Sequence, residues 1–186
     1  MIKVNMIAAV NKNWAIGYGG ELLYEIPKDM KFFKQKTSKI GGNMVIMGRK
    51  TYESIGLKNG LPGRFNVVLT QDPGFDIESK DQSIVVAHSL QEVYDKYLTN
   101  PEYESAYNEC FVIGGEQIYD LFLPIASKCY ITFINGQNGP EDAWFPRDLS
   151  KSKEWILVSS RQGDTLTNTV GKYPIYYFDK YERITN

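Results

Sequence analysis

The sequence predicts an α/β fold of three layers: a mostly parallel central sheet of about eight strands, helices on both faces, and an antiparallel C-terminal edge hairpin. Short apolar runs rich in β-branched residues alternate with segments that begin like helices, a pattern typical of strand–helix–strand units. The last two strand-like runs have no helix between them, which favours antiparallel pairing.

Length and composition predict a single domain over residues 1–186. The 186 residues suffice for one well-buried core but are few for two. Lys and Arg number 21 against 22 Asp and Glu, so the overall charge offers no attraction for nucleic acid or an acidic membrane surface. The first ten residues do not resemble a secretory signal, and no apolar run reaches membrane-spanning length. We therefore expect a cytoplasmic protein.

The first strand is predicted at residues 2–10. This run lacks Gly and Pro and is too continuously apolar for a strand with one wet face, so we expect it at the centre of the sheet. Residues 11–20 are rich in Gly and Asn, which predicts a mobile loop. Because this loop leads directly to the first helix, the stretch 11–24 is interpreted as a lid over a pocket.

The first helix is expected to begin at Pro27, which places Asp29 in its first turn near the positive end of the helix dipole. Phe33 lies four residues after Asp29 and three after Met30, so one strip of the helix carries an acid together with apolar groups. This spacing indicates an inward-facing, ligand-binding carboxylate. An ordinary first-turn acid in water is the alternative, and spacing alone does not decide between them.

A possible phosphate site follows the strand predicted at 43–47. That strand runs into Gly48-Arg49-Lys50-Thr51, and residues 52–55 continue as a short helix. A glycine turn into a helix start offers backbone N–H groups, and the next three side chains add charge and a hydroxyl donor. An exposed turn with ordinary basic residues remains the alternative.

The remaining elements follow from similar signals. Ser89 and Glu92 predict a capping box for a helix from 90 to about 97. A polar surface connection is expected over 99–108. A helix is predicted at 116–123, ending before Pro124. Strands are predicted at 65–70, 83–87, 110–113 and 128–135, and the final hairpin pairs 155–162 with 173–181.

Few residues are available for metal or nucleophilic chemistry. Cys110 and Cys129 border strand-like runs, where small buried thiols are common, and the single histidine, His88, follows a strand in a loop. We therefore expect no metal site and no catalytic triad. Gly114-Gly115 forms a second strand–glycine–helix turn at which a ligand can approach the backbone, although it is not the GxGxxG pattern.

Taken together, six motifs in order along nearly the whole chain closely resemble the dihydrofolate reductase family, with Thr132 beyond them. The motifs are Ile7-Ala8-Ala9, Ile16-Gly17, Ile26-Pro27-Lys28-Asp29, Val45-Ile46-Met47-Gly48-Arg49-Lys50-Thr51, Leu61-Pro62-Gly63-Arg64 and Val112-Ile113-Gly114-Gly115. The resemblance implies hydride transfer from NADPH to 7,8-dihydrofolate, giving tetrahydrofolate. It also implies binding of antifolate inhibitors, and we expect a monomer.

The resemblance further implies roles for single residues. Asp29 would bind the pterin and help its N5 acquire a proton through water, Thr132 would orient Asp29, and Arg64 would bind the glutamate α-carboxylate. The walls around the pterin and benzoyl groups would be Ile7, Ala8, Met30, Phe33, Ile55, Leu61 and Ile113. The NADPH border would be Ala9, Ile16, Gly48, Arg49, Lys50, Thr51, Leu69, Thr70, Gly114, Gly115, Glu116, Gln117, Ile118 and Tyr119. The Gly114–Gly115 bond would be the family's cis non-proline peptide.

Some positions depart from the family pattern. Tyr24 stands where most members place Trp, and Leu23 replaces a frequent Pro, which puts the geometry of the water beside Asp29 in doubt. Gln71 and Gln117 stand where many bacterial members offer a hydroxyl and an arginine to the 2′-phosphate. That contact is then left to the basic turn and to Thr70, so the preference for NADPH over NADH is expected to be weaker.

Two other functions fit parts of the same pattern. A reductase of a related pteridine or pyrimidine intermediate would share the sheet and the cofactor turns, and a non-catalytic relative would keep the fold alone. Asp29 and Arg64 together favour folate, and retention of the acid, the lid glycines and both cofactor turns favours an active enzyme.

Overall fold

The computed structural model describes residues 1–38, 42–79, 82–136, 139–163, 167–168, 171–172 and 174–184. The strands are β1 (Lys3–Asn11), β2 (Ala15–Tyr18), β3 (Glu21–Leu22), β4 (Met44–Gly48), β5 (Phe65–Leu69), β6 (Ile84–Ala87), β7 (Glu109–Val112), β8 (Lys128–Ile134), β9 (Ala143–Trp144), β10 (Trp155–Gln162), β11 (Thr167–Asn168), β12 (Gly171–Lys172) and β13 (Tyr176–Arg183). The α-helices are α1 (Pro27–Thr37), α2 (Arg49–Ile55), α3 (Leu90–Val93), α4 (Pro101–Ala106) and α5 (Glu116–Phe122). A π-helical turn, Tyr94–Leu98, extends α3, and 3₁₀ turns lie at Leu123–Ile125 and Leu149–Lys151.

Eight of these strands form one sheet in the order β10-β13-β8-β1-β7-β4-β5-β6. Every pair from β8 to β6 is parallel, whereas β13 is antiparallel to both of its neighbours. The predicted fold class is therefore confirmed, including the central position of β1 and the C-terminal hairpin. The hairpin strand predicted at 173–181 begins at Tyr176, and Tyr173 lies outside the described residues.

Apolar side chains cover both faces of the sheet and make it the middle of three layers. On β1, Val4 and Met6 face the cluster that includes Ile118 and Phe122 of α5, while Ile7 faces the cluster beneath α1 and α2. Such alternation arises because neighbouring side chains of a strand point to opposite faces. The continuous apolar character of β1 is thus explained by burial on both sides.

The segment predicted as a mobile loop over 11–20 contains regular structure instead. Within it β2 pairs with β3 and with β9, and the three form a small separate sheet. The prediction was wrong here because the partner strand β9 is more than a hundred residues away in sequence and only two residues long. Pairing with a remote strand overrides a local composition of Gly and Asn.

One helix was not predicted, and the start of another differs from the prediction. The expected surface connection over 99–108 contains α4, whose start is set by Pro101 and by the Asn100 side chain, which accepts a hydrogen bond from the N–H of Glu102. Helix α2 begins at Arg49 and not at residue 52, so the basic residues of the expected turn form its first turn.

The predicted capping box is only half formed. Ser89 accepts a hydrogen bond from the N–H of Glu92 at 3.0 Å, but the Glu92 carboxylate accepts from the N–H of His88, one residue before the cap.

The two thiols, Cys110 and Cys129, are free and buried, and burial raises the pKa of each. None of the helices in the described ranges could span a lipid bilayer.

A buried amide joins the loop after α2 to strand β5. The side chain of Asn66, fully buried, accepts a hydrogen bond from the N–H of Leu61 and donates to the carbonyls of Leu61, Arg64 and Ser83. At Gly60, where φ is +68°, an added Cβ would lie 2.5 Å from this amide. Only glycine fits there, so the amide and the turn fix the approach to Arg64 together.

We predict that Asn66→Ala lowers the free energy of unfolding by roughly 2–4 kcal/mol, because it leaves several buried backbone groups without their partner. Urea denaturation measures this change. Asn59→Ala is the matched control, since Asn59 lies exposed in the same loop, and it is expected to change stability by less than about 0.5 kcal/mol. Equal stabilities of the two variants would contradict the role given to Asn66.

Candidate functional site

The acid singled out in the sequence, Asp29, is bound from behind by the central sheet. Pro27 opens α1 with Ile26 as its N-cap, and Asp29 follows in the first turn. The hydroxyl of Thr132, fully buried on β8, donates a hydrogen bond of 2.5 Å to Oδ1 of Asp29. The carboxylate is therefore held against the sheet, and the alternative of a first-turn acid in water does not hold.

Burial sets the electrostatics around this carboxylate. Loss of water raises the pKa of Asp29 above its ordinary value of 3.8, and the hydrogen bond from Thr132 opposes the rise. The pKa values of Tyr119 and Tyr176 are raised as well. Burial is the larger cause for both, and the negative charge of Asp29 adds to it. The site thus combines a partly buried acid with neutral phenols.

An apolar wall stands on the same face as Asp29. One hydrophobic cluster beneath α1 and α2 brings together five of the predicted substrate-binding side chains, which are Ile7, Phe33, Ile55, Leu61 and Ile113. Ala8, next to Ile7 on β1, packs into the cluster on the opposite face, and Met30 is 51% exposed. The structure therefore assembles most of the predicted wall from four separate segments of chain.

A buried cation lies at the far end of α1. The guanidinium of Arg64 is 7% exposed and donates to the carbonyl of Pro62 at 3.1 Å and to the hydroxyl of Thr37 at 2.9 Å. Burial lowers its pKa, and within the described residues no carboxylate pairs with it. Contacts with the described residues use two of its five N–H groups, which leaves donors and a positive charge for an anion.

The two glycine turns predicted to border a cofactor meet at the carboxyl ends of β4 and β7. The N–H of Gly48 donates to the carbonyl of Gly114 at 2.8 Å, and the Gly114–Gly115 peptide is cis, as expected. Both α2 and α5 begin directly after these turns without a side-chain cap. Their first N–H groups are thus available to phosphate oxygens, so the local chemistry fits NADPH.

The other predicted cofactor residues divide by burial. Ile16, Leu69, Ile118 and Tyr119 pack in or against the cluster on the α5 face, where the Tyr119 hydroxyl donates to the carbonyl of Ile7 at 2.7 Å. The remaining members lie nearer solvent: Ala9, Thr51 and Thr70 are partly exposed, and Lys50, Glu116 and Gln117 are exposed. Tyr24 is buried in a third cluster with Tyr176 and Phe178.

Arg49, predicted to border the cofactor, is paired with two acids. Its Nε donates to Glu53 at 2.6 Å and its Nη1 to Asp72 at 2.8 Å, while the Phe75 ring lies 4.3 Å from the guanidinium carbon. The contact with Glu53 has the i, i+4 spacing that could have been read from the sequence. The contact with Asp72 joins residues that follow two different strands, so it could not have been read from the sequence.

The predicted lid, residues 11–24, is attached to the segment around β9. The N–H of Gly19 donates to Asp142 at 2.8 Å, and the N–H of Phe145 donates to the carbonyl of Trp14 at 2.8 Å. The side chain of Asn11 contacts Glu141 and accepts from two nearby backbone N–H groups. The segment is therefore ordered by remote contacts, and its role as a lid stays a prediction.

Comparisons with known proteins show the family to which the chain is similar. The family model described as dihydrofolate reductase matches residues 3–183. A dihydrofolate reductase of Bacillus subtilis (strain 168) is 37% identical over 177 residues, or 95% of this chain and 94% of that protein. One of Staphylococcus haemolyticus is 34% identical over 183 residues, or 98% and 97% of the two chains. The resemblance inferred from the motifs is confirmed.

A solved structure agrees as well. Dihydrofolate reductase from Enterococcus faecalis, complexed with NADP(H) and RAB-propyl, superposes with a TM-score of 0.77 at 28% identity. The match covers 98% of this chain and 97% of that one. The similarity therefore extends over nearly the whole chain.

We predict that Asp29→Asn stabilises the protein without ligands at neutral pH. Because the folded-state pKa of Asp29 is raised, the ionised carboxylate costs stability above its ordinary pKa, and this cost disappears when the pH falls below 3.8. The melting temperature should rise by roughly 2–4 °C at pH 7, the effect of about 1 kcal/mol in a chain of this length.

Differential scanning calorimetry at neutral and acidic pH tests this, with Glu25→Gln as control because Glu25 is an exposed acid just before the helix. The control should not change the melting temperature. A lower melting temperature for Asp29→Asn at neutral pH would show that the carboxylate is not strained by burial.

Proposed function

The chain belongs to the dihydrofolate reductase family, and we propose that Asp29 is the acid that binds the pterin of its substrate and assists the protonation of N5. The enzyme is an oxidoreductase that reduces 7,8-dihydrofolate to 5,6,7,8-tetrahydrofolate with NADPH. The observation that carries the proposal is the partly buried carboxylate of Asp29, hydrogen-bonded to Thr132 beside an apolar wall.

The reaction adds two hydrogens, at carbon 6 and at N5 of the pterin. When bound, NADPH supplies the hydride. The residues of the chain must orient the pterin, exclude water from the reacting face and provide a route for the proton. Asp29 is suited to the last task because it is the acid of this wall, and the single histidine lies on another element, after β6.

Asp29 can bind the pterin and assist the proton at the same time. A carboxylate has about four lone-pair sites, and the Thr132 hydroxyl occupies one of them on Oδ1. The others can accept hydrogen bonds from the ring N–H and the 2-amino group, a bidentate contact. Its negative charge favours a proton on N5 delivered through water, and its raised pKa lets the group share that proton more readily.

Arg64 is assigned to the other end of the substrate. Its buried guanidinium has donors left after Thr37 and Pro62 are satisfied, so it can hold the α-carboxylate of the glutamate moiety. A pyrimidine intermediate has no such carboxylate, and a non-catalytic relative would not need a buried acid that costs stability. Both rival functions are therefore disfavoured.

The proposed binding partners follow from the same site. We propose dihydrofolate and antifolate inhibitors as ligands, because aromatic rings suit the apolar wall and hydrogen-bond donors suit the Asp29 carboxylate. We further propose that the chain acts as a monomeric single domain, because the core and the proposed site are both built within one chain. Cytoplasmic NADPH and folates would then supply it.

Asp29→Asn tests the mechanism. The amide keeps the size of the side chain but loses the charge, so the rate of dihydrofolate reduction at neutral pH should fall by about 10²-fold or more while the substrate still binds weakly. The rate should recover as the pH falls, because dihydrofolate can take its proton from solvent in acid. Absorbance of NADPH, followed across pH, measures both effects.

Glu25→Gln is again the matched control and should retain the parent rate, since Glu25 is exposed. The assay is run with dihydrofolate, with folate and with a biosynthetic pyrimidine to separate the rival substrates. An Asp29→Asn protein that reduces dihydrofolate at the parent rate at neutral pH would overturn the assignment.

Arg49→Ala tests the cofactor side. A guanidinium can bind the 2′-phosphate of NADPH, a group that NADH lacks, so kcat/KM should fall about tenfold more with NADPH than with NADH. Arg147→Ala serves as control because this exposed arginine pairs with Glu154, away from the turns. An equal fall with both cofactors would assign Arg49 a structural role instead.

A further inference from the structure

We propose that Asp72 is a specificity-determining residue. It weakens the preference of this enzyme for NADPH over NADH. The inference rests on the proposed function of Arg49 as the 2′-phosphate ligand. Its basis is the ion pair between Nη1 of Arg49 and Oδ2 of Asp72, 2.8 Å long, at the place where the 2′-phosphate would be bound.

The fold brings this pair together. Arg49 follows the carboxyl end of β4 and Asp72 follows the carboxyl end of β5, and the two strands are adjacent and parallel with Gly48 beside Leu69. Ligands of open α/β sheets bind at the carboxyl ends of the strands. Asp72 therefore lies within the proposed cofactor site and not merely beside it on the surface.

The contact uses a donor that a phosphate needs. Glu53 binds Arg49 through Nε, a contact within one helix that leaves both terminal nitrogens available. Asp72 takes Nη1, one of the two terminal nitrogens with which a guanidinium grips an oxyanion end-on. The Phe75 ring against the guanidinium further fixes its plane. Asp72 therefore competes with the 2′-phosphate for the guanidinium of Arg49, whereas Glu53 holds that side chain from within the same helix.

Charge makes the competition selective. A phosphate monoester carries close to two negative charges at neutral pH, so a bound 2′-phosphate must displace Asp72 from Arg49 or tolerate a second anion beside it. Either case weakens the binding of NADPH. The 2′-hydroxyl of NADH is neutral, and a carboxylate can accept a hydrogen bond from it. Asp72 thus penalises one cofactor only.

Among the described residues at this edge of the sheet, few side chains carry a positive charge that could offset this acid. Gln71 and Gln117, which are exposed at this edge, are neutral. Lys50 is the other cation of the turn, and it projects from α2 into solvent. Arg49 is the arginine of this turn, so how firmly Asp72 holds it affects the balance between the two cofactors.

Asp72→Asn is the informative change because it removes the charge and keeps the oxygen that accepts the N–H of Gly74 at 2.9 Å. The ratio of kcat/KM for NADPH to that for NADH should rise about threefold to tenfold, the size expected for an exposed ion pair facing a doubly charged group. The gain should shrink at high salt. Dissociation constants of both cofactors, from calorimetric titration of the free enzyme, should change in the same ratio.

Asp76→Asn is the matched control, since it removes the same charge from an exposed position four residues further along the loop, where the acid contacts the N–H of Ile77. Its cofactor ratio should stay within about twofold of the parent. A ratio unchanged in Asp72→Asn, or raised equally in both variants, would overturn the inference.

The outcomes also separate this inference from the proposed function. If Arg49→Ala lowers the NADPH ratio and Asp72→Asn does not raise it, the inference fails and the proposed role of Arg49 stands. If the parent protein does not oxidise NADPH in the presence of dihydrofolate, the proposed function fails, and the two dissociation constants alone decide whether Asp72 selects the cofactor.

Discussion

The geometry of the proposed site depends on the hydrogen bond between Thr132 and Asp29. It joins the first turn of α1 to β8 and holds a carboxylate where loss of water raises its pKa. Two parallel neighbours, β1 and β8, supply the rigid support, because Thr132 stands beside Ala9 in their register. The position of α1, and with it the apolar wall, is thereby fixed relative to the sheet.

Two arginines show how burial decides what a cation is available for. Arg64 is buried, and within the described residues it donates hydrogen bonds to neutral oxygens but forms no ion pair with a carboxylate. Its positive charge is therefore not neutralised and suits an anionic substrate group. Arg49 is exposed and already paired with two acids, so an incoming phosphate must compete for it. The side of the site at Arg64 is therefore preorganised for its ligand, whereas at Arg49 an existing ion pair must be broken or shared when a phosphate binds.

Local signals predicted the sheet, the central strand and most of the helix starts, because burial on both faces of β1 and a proline at the first turn of α1 leave clear marks on composition. They failed where a remote partner decides the backbone. Residues of β2 have a loop-like composition, yet they pair with β9. Helix α4 was missed although Asn100 and Pro101 formed a readable start signal, since its polar composition outweighed its cap.

Periodicity, caps and ordered motifs were enough to predict the fold class, the family and the residue types of the proposed site, since these signals are properties of neighbouring residues. Which side chains contact one another depends on the folded chain. It placed Thr132 against Asp29, Thr37 against Arg64 and Asp72 against Arg49, contacts between elements that lie 103, 27 and 23 residues apart. Hydrogen bonds and charges act over a few ångströms, so their effect depends on the packing of the sheet and not on distance along the chain.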